Sequence, residues 1–119
     1  ADADWGNCAV DRRSYTGFVF LLAGAPISWE SKKQQTVALS STEAEYMAVS
    51  QASKEALFLI NVLAELKEEV LNSTPITVFC DNIGAIELSR NNGYHPRTKH
   101  IDIRHQFIIE LIEDCVLEF

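Results

Sequence analysis

One stretch constrains this chain more than any other: from Ala44 to Leu66 there is no glycine or proline, and Ala44, Ala48, Ala52, Ala56, Leu59, Leu63 and Leu66 recur at helical spacing. Three good N-caps precede it, Ser40, Ser41 and Thr42, and both Ser40-x-x-Glu43 and Thr42-x-x-Glu45 fit a capping box. The apolar stripe opens on alanines, so the helix can lie close against a sheet. With 119 residues, the chain has room for one core and therefore one domain, spanning residues 1–119.

The sheet is read from β-type runs. Tyr15 to Leu22 is rich in aromatic and β-branched residues, Ala23-Gly24-Ala25-Pro26 reads as a turn, and Ile27-Ser28-Trp29 as a second strand. Ala1 to Trp5 reads as a short opening strand, followed by a loop through Asp11-Arg12-Arg13-Ser14. After a turn at Asn72-Ser73-Thr74-Pro75, Ile76 to Cys80 reads as a central strand. Asp81-Asn82 then opens a helix over about Ile83 to Arg90, broken by Asn91-Asn92-Gly93. A last helix is expected from about Ile101 to Glu113, with Phe107, Ile108, Leu111 and Ile112 inward, and a last strand begins in Cys115 to Phe119. The order β-β-β-α-β-α-α-(β) predicts a mixed α/β sheet: an antiparallel three-stranded meander plus a parallel strand, with flanking helices. A right-handed crossover would set the first and fourth strands side by side.

Several function classes fall away. The longest apolar run, Phe18 to Ala23, is too short to span a membrane, and no signal peptide is visible. Cys8, Cys80 and Cys115 are an odd number with no close pair, which disfavours a disulfide framework and fits a reducing compartment. His95, His100, His105 and Cys115 lack zinc-ligand spacing. Cys80 has no histidine nearby in sequence to activate it as a nucleophile. The net charge of −7 opposes tight binding to phosphate backbones, yet Arg90, Arg97, Lys99 and Arg104 cluster with the three histidines. That cluster is either a basic patch on an acidic body or a solvated face of mixed charge.

The informative residues are acids. Asp2 and Asp4 share a face of the first strand, so periodicity does not choose between them. At about 100° per residue, Glu45 aligns with Ala52, Ala56 and Leu63, and Glu43 lies about 160° away. Glu45 thus sits on the core-facing side, where a carboxylate is costly without compensation. It either closes a capping box with Thr42 or, if Glu43 caps through Ser40, is free for other work. Asp81 is either a helix N-cap or a ligand at the carboxyl end of a parallel strand, where α/β sheets place functional groups. If the first and fourth strands are neighbours, Asp2, Glu45 and Asp81 converge. Three such carboxylates repel one another, and oxygen-only ligation suits Mg²⁺ or Mn²⁺.

Six segments in this order resemble the ribonuclease H domain of copia-type retrotransposon polyproteins: Asp2-Ala3-Asp4-Trp5, Arg13-Ser14-Tyr15-Thr16-Gly17, Ile27-Ser28-Trp29-Glu30-Ser31-Lys32-Lys33-Gln34, Ser40-Ser41-Thr42-Glu43-Ala44-Glu45-Tyr46, Cys80-Asp81-Asn82 and Arg97-Thr98-Lys99-His100-Ile101-Asp102-Ile103. The resemblance implies a ribonuclease H-like fold and Mg²⁺-dependent cleavage of the RNA strand of RNA–DNA hybrids. It also implies a reverse transcriptase domain of the same polyprotein as partner and a cytoplasmic setting. The family's Asp-Glu-Asp-Asp set maps its first three members onto Asp2, Glu45 and Asp81. On that mapping Asp2 bridges two Mg²⁺ ions, with Mn²⁺ able to substitute, and Glu45 and Asp81 each complete one coordination sphere.

The family's fourth aspartate lies on a helix past the last strand and is expected beyond Phe119. Asp102 is better explained as a charge at a helix N-terminus. Ala1 in place of methionine is expected of a segment of a longer chain, and Gly6-Asn7 departs from the more usual Ala-Gly. Ser40, Ser41 and Thr42 at the helix N-terminus are candidate phosphate contacts, as are Lys32, Lys33, Arg97, Lys99 and Arg104. The competing class is a catalytically silent module of the same fold that supports a reverse transcriptase or binds hybrid. An integrase-like nuclease is disfavoured, because here the glutamate lies between two strand aspartates.

Overall fold

A computed structural model of the chain describes residues 1–6, 9–66, 76–90, 99–113 and 117–118. Three strands, β1 (Asp2–Asp4), β2 (Tyr15–Leu22) and β3 (Ala25–Lys33), form an antiparallel sheet in the order β1-β2-β3. Along β2, Thr16 and Phe18 are buried while Val19 and Leu21 are exposed, as a strand with one covered face requires. Leu22 pairs with Ala25, so only Ala23 and Gly24 remain in the turn, at φ 52° and 81°. Two consecutive positive φ values are the mark of a type I′ hairpin, whose twist matches that of the strands it joins.

β3 is longer than the Ile27–Trp29 predicted and runs through Glu30-Ser31-Lys32-Lys33. Those residues have poor strand propensity, but among the described residues β3 is paired on one side only. An exposed edge accepts charges, and it accepts Pro26, whose missing N–H is not needed there.

Helix α1 (Ser41–Glu65) starts where expected. The Ser40 hydroxyl accepts from the Glu43 amide at 3.0 Å, and the Glu43 carboxylate accepts from the Leu39 amide at 3.1 Å. Of the two possible capping boxes, the Ser40–Glu43 arrangement forms. β4 (Ile76–Thr77), α2 (Ile83–Arg90), α3 (Lys99–Glu113) and β5 (Leu117–Glu118) follow. β4 stops short of the predicted Cys80 and pairs in parallel with β5, not in a ladder with β1. The reason lies in how the next residues share their bonds. The Val78 amide donates to the Glu118 carbonyl at 2.9 Å, while the Phe79 carbonyl accepts from the Ala1 amino group at 2.9 Å. The segment after β4 therefore touches β5 on one side and the start of β1 on the other, without continuous pairing to β1.

The core forms where α1 meets everything else. Ala44, Tyr46, Met47 and Val49 of α1 cluster with Ala38, with Ala85 of α2 and with Ile108 of α3. Ala56 packs with Val78 and Leu111. Among the described residues, no helix is long and apolar enough to cross a membrane. The predicted turns at 72–75 and 91–93, the Gly6-Asn7 departure at Asn7 and the opening of the last strand at 115–116 lie outside the described residues.

Candidate metal centre

Each of the three acids is placed by a different element. Asp2 opens β1, Glu45 sits in the second turn of α1, and Asp81 precedes α2. One carboxylate oxygen from each lies within 4.8 Å of the others. Asp2 and Asp81 are exposed and Glu45 is buried, so the cluster has one wall in the core and an open side toward solvent. Asp4, which sequence alone could not separate from Asp2, is not in this cluster.

The local duties that Glu45 and Asp81 could have performed are performed by their neighbours. Glu43 closes the cap of α1 with Ser40. Asn82 caps α2, its side-chain oxygen accepting from the Ala85 amide at 2.9 Å and its carbonyl from Ile86 at 3.1 Å. Both carboxylates are thereby released from the folding roles that compete with a chemical one.

Glu45 is only half provided for. Its Oε1 accepts from the Ala3 amide of β1 at 3.1 Å, while its Oε2 is buried with no hydrogen-bond partner among the described residues. Burial pushes its carboxyl up from 4.5 to about 7 against the Ala3 hydrogen bond, and the neighbouring Asp2 and Asp81 add to the rise. A buried acceptor beside two more carboxylates is relieved either by a proton, which the raised Glu45 carboxyl keeps, or by a cation. The donor set is all oxygen, which fits a hard divalent ion such as Mg²⁺ or Mn²⁺. Burial also raises the Cys80 thiol above 9.0, opposite to what a cysteine nucleophile needs.

The candidate phosphate contacts divide. Ser40 and Ser41 are exposed at the start of α1, and Thr42 lies against Gly84 of α2, where an added Cβ would come within 3.0 Å of the Thr42 hydroxyl. Lys32, Lys33 and Arg104 line one cleft between β3, α1 and α3. Arg97 and the side chains of Lys99 and Asp102 lie outside the described residues. Sequence reasoning placed the cap of α2 on Asp81-Asn82 together, and the structure gives it to Asn82. Sequence reasoning missed Gln51 and Lys54, which join that cleft through tertiary placement alone.

No family model matches the chain, and no solved structure matches it. Curated relatives do. The chain is 46% identical over 113 residues, 95% of its length, to the retrovirus-related Pol polyprotein from transposon TNT 1-94 of Nicotiana tabacum. It is 40% identical over 117 residues, 98% of its length, to the corresponding polyproteins from transposons RE2 and RE1 of Arabidopsis thaliana. It spans about 8% of the length of each. The homologues of this chain are thus retrovirus-related Pol polyproteins of transposons.

Proposed function

We propose that this chain is the ribonuclease H domain of a copia-type retrotransposon polyprotein, with a ribonuclease H-like fold, and that it hydrolyses the RNA strand of RNA–DNA hybrids during reverse transcription. The observation that carries the reading is the meeting of Asp2, Glu45 and Asp81, with the buried Glu45 Oε2 left unpartnered. Asp2, Glu45 and Asp81 are the residues that would hold Mg²⁺ or Mn²⁺. Bound there, divalent ions supply a water of lowered pKa and counter-charge for the oxygen leaving the scissile phosphate.

The chain's own residues do the rest. The Ala3 amide fixes one oxygen of Glu45 and so holds its carboxylate beside Asp2 and Asp81. Asp2 and Asp81, being exposed, present their carboxylates on the side from which a phosphodiester can approach. Ser40 and Ser41 offer hydroxyls beside the N-terminus of α1, a favourable place for a backbone phosphate. The reverse transcriptase of the same polyprotein is the expected partner, in keeping with the Pol polyprotein homologues.

The test is cleavage of an end-labelled RNA–DNA hybrid with Mg²⁺, comparing wild type with Asp81→Asn and Glu45→Gln. The expected result is RNA-strand cleavage with products bearing 5′ phosphate, lost by at least about a hundredfold in either variant. Equal activity in Asp81→Asn would sink the assignment. Hybrid binding without cleavage by wild type would favour the silent module.

A further inference from the structure

A second feature lies away from the carboxylates. Between β3, α1 and α3 is a polar cavity of about 250 Å³, lined by Lys32 of β3, Gln51 and Lys54 of α1, and Arg104 of α3. Glu30 and the buried Gln34 complete its wall. At about 100° per residue, Gln51 and Lys54 lie between about 120° and 180° from Glu45 around α1, so the cavity is on the opposite flank of that helix from the acidic cluster.

On a chain of net charge −7, four cations, Lys32, Lys33, Lys54 and Arg104, line this one cavity against a single carboxylate, Glu30. Among the described residues, none of Lys32, Lys54 and Arg104 has an ion-pair partner, whereas Lys33, which also lines the cavity, is held by Asp11 at 2.8 Å. Arg104 is the informative member. Burial pulls its guanidinium below the ordinary value, and among the described residues no ion pair offsets that loss of water. In a cavity where cations outnumber the one carboxylate, Glu30, a partly desolvated guanidinium has room for a further anion. The Gln34 amide is pinned by its donations to the Thr16 hydroxyl and the Ala44 carbonyl, both at 3.0 Å, and its Oε1 is buried without a partner. That acceptor suits a water or a protonated oxygen of a ligand.

We infer that this cleft is a phosphate-binding site, with the Arg104 guanidinium as its fork and Lys32 and Lys54 as flanking charges. A planar guanidinium matches a pair of phosphate oxygens, and the lysines add charge without fixed geometry. The phosphate could be an internucleotide phosphate of a nucleic acid or a free phosphate. The inference does not rest on the hydrolase reading, because the carboxylates take no part in it.

The test is a titration of the 119-residue chain with inorganic phosphate in EDTA at constant ionic strength. It is followed by NMR at the Arg104 Nε–H and at the amides of Lys32, Gln51 and Lys54. Saturable shifts confined to these signals are expected, with affinity falling by about three- to tenfold in Lys54→Gln and in Arg104→Lys, which keeps charge but loses the fork. Lys54 is exposed, so its variant carries the test even if Arg104→Lys fails to fold. A second arm adds RNA–DNA hybrid, again in EDTA. Movement of the same signals, competed by phosphate, identifies an internucleotide phosphate as the source; unmoved signals identify a free one. Shifts that do not saturate, or an affinity unchanged in both variants, would overturn the inference. Because divalent ions are absent, this result is independent of whether the chain cleaves hybrid.

Discussion

Glu45 makes the metal-free protein sensitive to pH in a definite direction. Below 4.5 its carboxyl is neutral both folded and unfolded; above that value the unfolded chain ionises first, while the folded form holds its proton to about 7. Folded protein therefore binds the extra proton, and stability falls as pH rises through that window, by at most about 3 kcal/mol. Urea unfolding in EDTA at about pH 5 and about pH 8 should show this slope in wild type and a flatter profile in Glu45→Gln, which should be the more stable of the two at the higher pH. Ala23 invites a different change. It holds φ 52° in a type I′ position without the freedom of glycine or the local hydrogen bonding of asparagine. Ala23→Asn should raise unfolding stability by about 1 kcal/mol, measured by urea denaturation with the slope of the transition unchanged.

Between elements, a buried tie runs from α1 to α3. The Tyr46 hydroxyl and the His105 Nδ1 meet at 2.8 Å, and both side chains are fully enclosed. Tyr46→Phe keeps the ring and deletes the hydroxyl, leaving an imidazole nitrogen buried without that partner, so a loss of about 1–2 kcal/mol is expected from thermal or urea unfolding. Elements with strong local signals were legible in the sequence: α1 from its caps and alanine stripe, β2 from its aromatic and β-branched residues, and the inward face of α3 at Ile108 and Leu111. The extent of β3 was not, because Glu30 to Lys33 gain strand geometry only by pairing with β2. The shortness of β4 was equally hidden, since the bonds of Val78 and Phe79 go to residues far away in the chain. For the candidate site, helical phase was enough to single out Glu45 over Glu43. No local pattern could choose Asp2 over Asp4, because two residues on one strand face differ only in what lies opposite them.

At the scale of the molecule, α1 is the common surface. It contacts β1, β2, α2 and α3, and it is through α1 that the three acids are held to one point. An ion bound by all three would link β1, α1 and the segment before α2, and so should favour the folded state as a whole. Mn²⁺ at millimolar concentration is expected to raise the melting temperature of wild type by several degrees and to leave Asp81→Asn nearly unmoved, by differential scanning fluorimetry at neutral pH. The division of work between Asp81 and Asn82 carries this further. Aspartate and asparagine are interchangeable as helix caps, so transposing the two residues conserves composition, charge and the start of α2 while carrying the carboxylate one step along the backbone. Foldedness and ion affinity become separately adjustable at that dipeptide, and a transposed chain that melts like the native one yet ignores Mn²⁺ would show that scaffold and chemistry are written in adjacent letters.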